Sequence, residues 1–234
     1  QELAVPAAAR LTCWSFDAGL QECALGYADG SVRLGRVGFR STFLSRDEAP
    51  PECAELAVGA TIAVRQCIIQ RTPEDQYRYQ ELAISLADSL PVSASPIVLI
   101  DRSAASRGTM FVALDASAAL HVRELREQTN LLPGETTFLG DGGQLDLRAA
   151  GLRAGSTAEP RYLLLTGVGD NAMLAWPDGR LLRIDTSSPG APVVAEELDL
   201  IPEAGRRLTA LTYLLGKGSL VCGDDLGQVR VWFR

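Results

Sequence analysis

At 234 residues, with 47% hydrophobic and 22% charged residues, the chain has enough apolar surface to bury a sizeable core and is not a disordered segment. A formal net charge of −7 argues against DNA, RNA and anionic membrane surfaces, all of which select basic patches, and disfavours direct capture of phosphate or nucleotide. No run of about 18 apolar residues is present that could span a bilayer. Five cysteines (Cys13, Cys23, Cys53, Cys67 and Cys222) form no C-x-x-C pair and have no histidine at ligand spacing, so most read as small core residues.

In chain order, the apolar stretch Thr12–Phe16 leads through a glycine-bearing turn to Cys23–Tyr27, an Asp29-Gly30 turn and Val32–Val37. An Asp-Gly pair between strands signals a hairpin, because glycine takes positive φ without steric cost. Asp47–Glu52 reads as a linker, and Thr61–Gln70, Tyr79–Leu86 and Pro96–Ile100 form a longer, divergent strand set. Thr109–Leu114, a small-residue turn at Ala116–Ala118 and Leu120–Leu125 repeat the rhythm. Gly140-Asp141-Gly142-Gly143 reads as a hairpin between Thr136–Leu139 and Gln144–Leu147. Only Ser103–Ser106 and Glu124–Leu131 have the composition for a helical turn or two. Arg161–Thr166, Ala172–Trp176, a Pro177-Asp178-Gly179 turn and Leu181–Ile184 follow, then a Ser187–Pro192 linker.

The last stretch repeats the first. Leu11–Leu34 aligns without a gap on Leu208–Val231, with identical pairs at Leu11/Leu208, Thr12/Thr209, Gly19/Gly216, Gly26/Gly223, Gly30/Gly227, Val32/Val229 and Arg33/Arg230. Three glycines in register mark positions where the backbone turns tightly or packs closely. Many short strands with a repeat of roughly 40–50 residues select a propeller over a sandwich or barrel. The expected fold is therefore all-β, with about five blade-like units of short antiparallel strands in a single domain, residues 1–234.

The string GYADGSVRLGRV (Gly26–Val37) resembles the second and third strands of a WD40 repeat, without the Gly-His and Trp-Asp dipeptides, so the repeats are WD40-like and degenerate. LTALTYLLGKGSLVCGDDLGQVRVWFR (Leu208–Arg234) resembles the propeller-like domain of bacterial phosphate ABC-transporter permease subunits. A single lysine, Lys217, among 22 basic residues, with abundant alanine, fits a GC-rich bacterial genome. The resemblance implies a non-catalytic domain on the extracytoplasmic (periplasmic) side of the inner membrane. Its parent would be membrane-embedded, its partners other transporter subunits or a substrate-binding protein, and more repeat would follow Arg234. The alternative is a free-standing WD40-like interaction scaffold with no transport role.

No motif earns a catalytic, cofactor or metal assignment. Gly167-Val168-Gly169-Asp170-Asn171-Ala172 mimics a dinucleotide fingerprint, but that mechanism needs a helix to follow, and Pro177-Asp178-Gly179 ends any helix at once. Gly216-Lys217-Gly218-Ser219 lacks phosphate-loop spacing. His121, the only histidine, reads as a strand residue, partly exposed and without a carboxylate partner in a deep cleft. Asp101, Asp141, Asp224 and Asp225 are conceivable acid–base carboxylates; Asp29, Asp178 and Asp225 read as turn residues. Trp14, Trp176 and Trp232 read as packing between blades. Because the C-terminal repeat supplies three strands where a blade normally has four, the ring is expected to be incomplete, with an exposed edge near Val229–Phe233. The competing closure has Glu2–Ala7 add the missing strand.

Overall fold

The computed structural model describes residues 9–16, 21–44, 56–58, 61–71, 77–105, 108–129, 136–149, 159–214 and 218–233, and among them every regular element is a β-strand. The strands form four antiparallel sheets. Sheet I takes β1 (Leu11–Phe16), β2 (Glu22–Tyr27), β3 (Ser31–Leu44), β4 (Leu56–Val58), β5 (Thr61–Arg71), β6 (Tyr77–Leu86) and β7 (Leu90–Pro91), in the order β1-β2-β3-β6-β5-β4 with β7 beside β3. Sheet II is β8 (Ile97–Ala105), β9 (Gly108–Asp115), β10 (Ala119–Thr129) and β11 (Thr136–Asp146). Sheet III is β12 (Tyr162–Leu165), β13 (Asn171–Ala175), β14 (Arg180–Asp185) and β15 (Val193–Asp199). Sheet IV is β16 (Leu208–Tyr213), β17 (Ser219–Asp224) and β18 (Val229–Phe233).

Successive sheets pack face to face through three apolar seams. Ala24, Val32 and Leu34 of sheet I meet Ile97, Ile100, Phe111, Ala113 and Leu125 of sheet II. Met110, Val112, Leu114, Leu120 and Val122 meet Leu163, Leu165, Ala172, Leu174, Trp176, Leu182 and Ile184 of sheet III. Met173, Ala175 and Leu181 meet Leu208, Leu211, Leu220 and Cys222 of sheet IV. Side chains alternate along a strand, so β9 sends Met110, Val112 and Leu114 to one seam and Phe111 and Ala113 to the other. That is why it reads as an unbroken apolar run, each large side chain contributing about 1.5–3 kcal/mol on full burial. The first strands β1, β8, β12 and β16 lie beside one another in that order. Four sheets joined in this way are the blades of a β-propeller.

The two aligned repeats are equivalent units. Both pair their first strand with the second around a bulge at the same place, Leu11/Cys13 and Leu208/Ala210. The bulged threonines make the same bond, Thr12 Oγ1 to the Gly26 carbonyl (2.8 Å) and Thr209 Oγ1 to the Gly223 carbonyl (3.1 Å). Gly30 and Gly227 close matching turns, donating to the carbonyls of Tyr27 and Asp224 (3.1 Å each) at φ of 81° and 79°. Ala118 takes this left-handed position in sheet II, at φ 68°.

Four blades replace the expected five. The 14-residue strand β3 runs beyond its hairpin, and β6 pairs with its second half from Gly35↔Leu86 to Leu44↔Tyr77, so β5 and β6 enlarge sheet I instead of forming a blade. Ile97–Ile100 opens sheet II. Gly140–Gly143 is not a hairpin but the middle of β11, paired with Val122–Leu125. A Cβ on Gly143 would lie 2.4 Å from the Gly190 carbonyl oxygen, so the glycine admits a neighbouring backbone. Ser103–Ala105 and Glu124–Thr129 are strand, not helix, because hairpin partners take up their backbone bonds. Ser187–Pro192 joins two strands of sheet III, whereas Asp47–Glu52 lies outside the described residues.

Candidate interaction surface

Polar ties join the seams near the first strands. Asp101 on β8, 8% exposed, accepts from Ser15 Oγ of sheet I (2.5 Å) and from the Leu165 amide of sheet III (2.6 Å). One carboxylate thus bridges three blades. Beside it Ser103 Oγ donates to the Gly167 carbonyl (2.6 Å), and the buried Arg102 guanidinium pairs with Glu22 of sheet I.

A second carboxylate organises the β9–β10 turn. Asp115 Oδ1 accepts from the amides of Ser117 (2.9 Å) and Ala119 (3.0 Å) and from Ser117 Oγ (2.6 Å). Its Oδ2 accepts from Ser93 Oγ (2.6 Å) and His121 Nε2 (2.8 Å). Burial pushes this carboxyl up, but the bonds from His121, Ser117, Ser93 and Ala119 outweigh it and hold the group well below the ordinary carboxylate range. The expectation for His121 is therefore corrected: the ring is 3% exposed and has a carboxylate partner, because strand alternation turns it back over the turn that Asp115 opens. The order is Ser93–Asp115–His121, with the carboxylate central. The histidine does not touch the hydroxyl, so this is not the arrangement of a nucleophile and its base. Asp224 repeats the device in sheet IV. It caps the amides of Leu226 (3.1 Å) and Gln228 (2.8 Å), accepts from Arg206 (3.0 Å), and has Arg230 at 3.7 Å where sheet II has histidine.

Other sequence candidates are placed as follows. Thr166–Gly169 is a tight turn and Asn171 begins β13, so a strand follows the dinucleotide-like string. Gly216 and Lys217 lie outside the described residues. Asp29 and Asp178 cap their own turns through Ser31 and Arg180, and Asp225 accepts from the Arg207 amide (3.1 Å). Asp141 stands in β11 opposite Glu124, apart from the Asp101 and Asp224 ties. Cys23 and Cys222 are buried; burial pushes the half-buried Cys13 thiol up to about 11. Among the described residues no group of three or more His, Cys, Asp or Glu side chains could hold a metal ion.

The tryptophans divide. Trp176 fills the II–III seam at 2% exposure, with Arg180 over its ring at 4.0 Å. Trp14 is instead 62% exposed, and Trp232, on the edge strand, is 37% exposed. Trp14 lies on the face of sheet I turned away from sheet II, flanked by Leu11 and Phe16, both more than two-fifths exposed. At the other end of the array, Val229 and Val231 stand on the face of sheet IV turned away from sheet III, and among the described residues β18 pairs only with β17. Among the described residues the edge near Val229–Phe233 has no further strand, and Glu2–Ala7, the strand of the competing closure, lies outside the described residues. Scattered exposed apolar residues are ordinary, whereas Leu11, Trp14 and Phe16 cluster at one end of the array, on a face whose Cys23 and Tyr27 are already buried, and Val229 and Val231 cluster at the other.

No family model and no curated protein matches the chain. Among solved structures it is similar to the β-propeller domain of Cps50 (Swd1) from Myceliophteria thermophila, at 9% identity and a TM-score of 0.44. That likeness covers 95% of this chain and 52% of the other, so the chain spans about half the length of this neighbour. The propeller assignment rests on sheet order and seam packing, not on that likeness.

Proposed function

We propose that the chain is a non-catalytic protein-interaction module of a phosphate ABC-transporter permease, lying on the extracytoplasmic side of a bacterial inner membrane. The observation that carries the interaction role is the pair of open apolar faces, Leu11, Trp14 and Phe16 at one end and Val229 and Val231 at the other. Large aromatics on an otherwise polar surface anchor protein contacts. The permease context is supported by the Leu208–Arg234 string alone. The buried carboxylates serve as joints between and within blades, which accords with a scaffold.

The test places Trp14→Asp in the full-length parent protein and measures phosphate uptake by intact cells at matched membrane levels. Losing such an anchor is expected to weaken the contact at least about tenfold and to lower uptake. Unchanged uptake, together with loss of a co-purifying protein, would favour the free-standing scaffold. For location, Val168→Cys, at a position 67% exposed, should react with an impermeant maleimide on intact cells. Labelling only after lysis would remove the extracytoplasmic assignment.

A further inference from the structure

The repeat reveals what kind of surface each open end is built to meet. In sheet IV the face toward sheet III carries Leu208 (1% exposed) and Leu211 (8%), together with Tyr213. Their partners in the gapless alignment are Leu11, Trp14 and Phe16, which form the open part of that face of sheet I at 44%, 62% and 43%, beside the buried Cys23 and Tyr27. Conversely Val32 (0%) and Leu34 (8%) of sheet I are covered by sheet II, while their counterparts Val229 (69%) and Val231 (42%) are open. The open face of sheet IV is therefore the kind that covers an upstream blade face, and the open face of sheet I is that upstream kind. The two ends are the two halves of one blade-to-blade seam.

We infer that the occupant of each end is a second copy of this chain, docked head to tail, so that sheet IV of each copy packs on sheet I of the other and eight blades close a ring. This rests on reading the end faces as protein contacts. A second copy is favoured because it presents both halves at once. The net charge of −7 does not oppose the seam itself, since Ala210, Thr212, Val221, Val229 and Val231 bring no charge and, among the described residues of β1–β3, Arg33 is the one charge on the facing side of sheet I. Two-fold closure satisfies all four faces, whereas a head-to-tail contact that failed to close would polymerise.

Light scattering of the 234-residue chain at physiological salt should give twice 25.0 kDa. Trp14→Asp and Val231→Asp should each give monomers with unchanged circular dichroism, because both side chains are exposed in the single chain. Mixing the two variants should restore a weaker dimer, since the intact sheet IV of one still meets the intact sheet I of the other. A monomeric native chain, an open polymer, dissociation by only one of the substitutions, or no recovery on mixing would each overturn the proposal. A monomeric chain whose parent still loses uptake with Trp14→Asp would sink the second copy and leave the interaction role standing, with another protein or a further blade as the occupant.

Discussion

Replacing Gly30 and Gly227 with alanine, one at a time, perturbs the same turn in two equivalent repeats and separates backbone strain from crowding. Both residues sit at positive φ, 81° and 79°, so each substitution incurs the left-handed penalty of about 1–2 kcal/mol. At Gly227 nothing lies within 4 Å of the added Cβ, and the cost stops there. At Gly30 the Cβ would stand 2.0 Å from the Ser93 carbonyl oxygen and 2.8 Å from that of Ser95, both backbone atoms. The segment can retreat only by giving up the Val92 and Ser93 amide bonds to the Gly30 carbonyl (3.2 and 3.0 Å). Crowding adds about 1–3 kcal/mol and the lost bonds about 1 kcal/mol each, which with the left-handed penalty makes a total of about 4–7 kcal/mol at Gly30. Guanidinium unfolding followed by the fluorescence of buried Trp176 compares the two variants at one protein concentration. Losses equal within about 0.5 kcal/mol, well inside that predicted gap, would refute the packing of the 92–95 segment on Gly30.

Two further perturbations address the carboxylates. Asp115 sits below its ordinary pKa in the fold, so its stabilisation is complete above the unfolded value of about 4 and drains away as pH falls toward the folded value. Native stability should carry an acid-dependent component that Asp115→Asn lacks; equal slopes of stability against pH below 4 would contradict this. Asp101→Ala leaves the Ser15 hydroxyl and Leu165 amide without this acceptor and should cost about 2–4 kcal/mol, against about 1 kcal/mol for Ser15→Ala, in the same unfolding assay. Equal costs would show that the tie to sheet III carries nothing.

What could be read in advance follows from which interactions are local. The repeat was legible because its glycines and threonines act within one hairpin pair: Gly30 in its turn, Thr12 on Gly26 across the bulge. Sheets II and III announced themselves through apolar runs such as Met110–Leu114, buried on both sides. Glycine is ambiguous by nature, however, and Gly140–Gly143 suggested a turn where the cause was a loop of the next blade lying against Gly143. His121 was misread because its partner, six residues away, comes within reach only after the Asp115 turn folds. The missed signal was the buried aspartate at the first turn position, shared by Asp115 and Asp224, which flanks the Asp225 singled out from the string. The openness of Trp14 was invisible, since exposure depends on whether another blade arrives, and the same residue type at Trp176 is covered.

The Asp101 bridge bears on how the array comes apart. A stack of repeats in which each unit touches only its neighbours behaves as a one-dimensional chain, with stability summed over units and adjacent pairs and with fraying from either end. Asp101, in the second blade, holds Ser15 in the first and Leu165 in the third with the same carboxylate, so the two seams that flank that blade share one group. Detaching the first blade then loosens the grip on the third, and those three blades open as one cooperative unit. In a single chain the fourth, leaning on the third through its apolar seam, is the natural place for local opening to begin, and a second copy packed on its outer face would hold it shut.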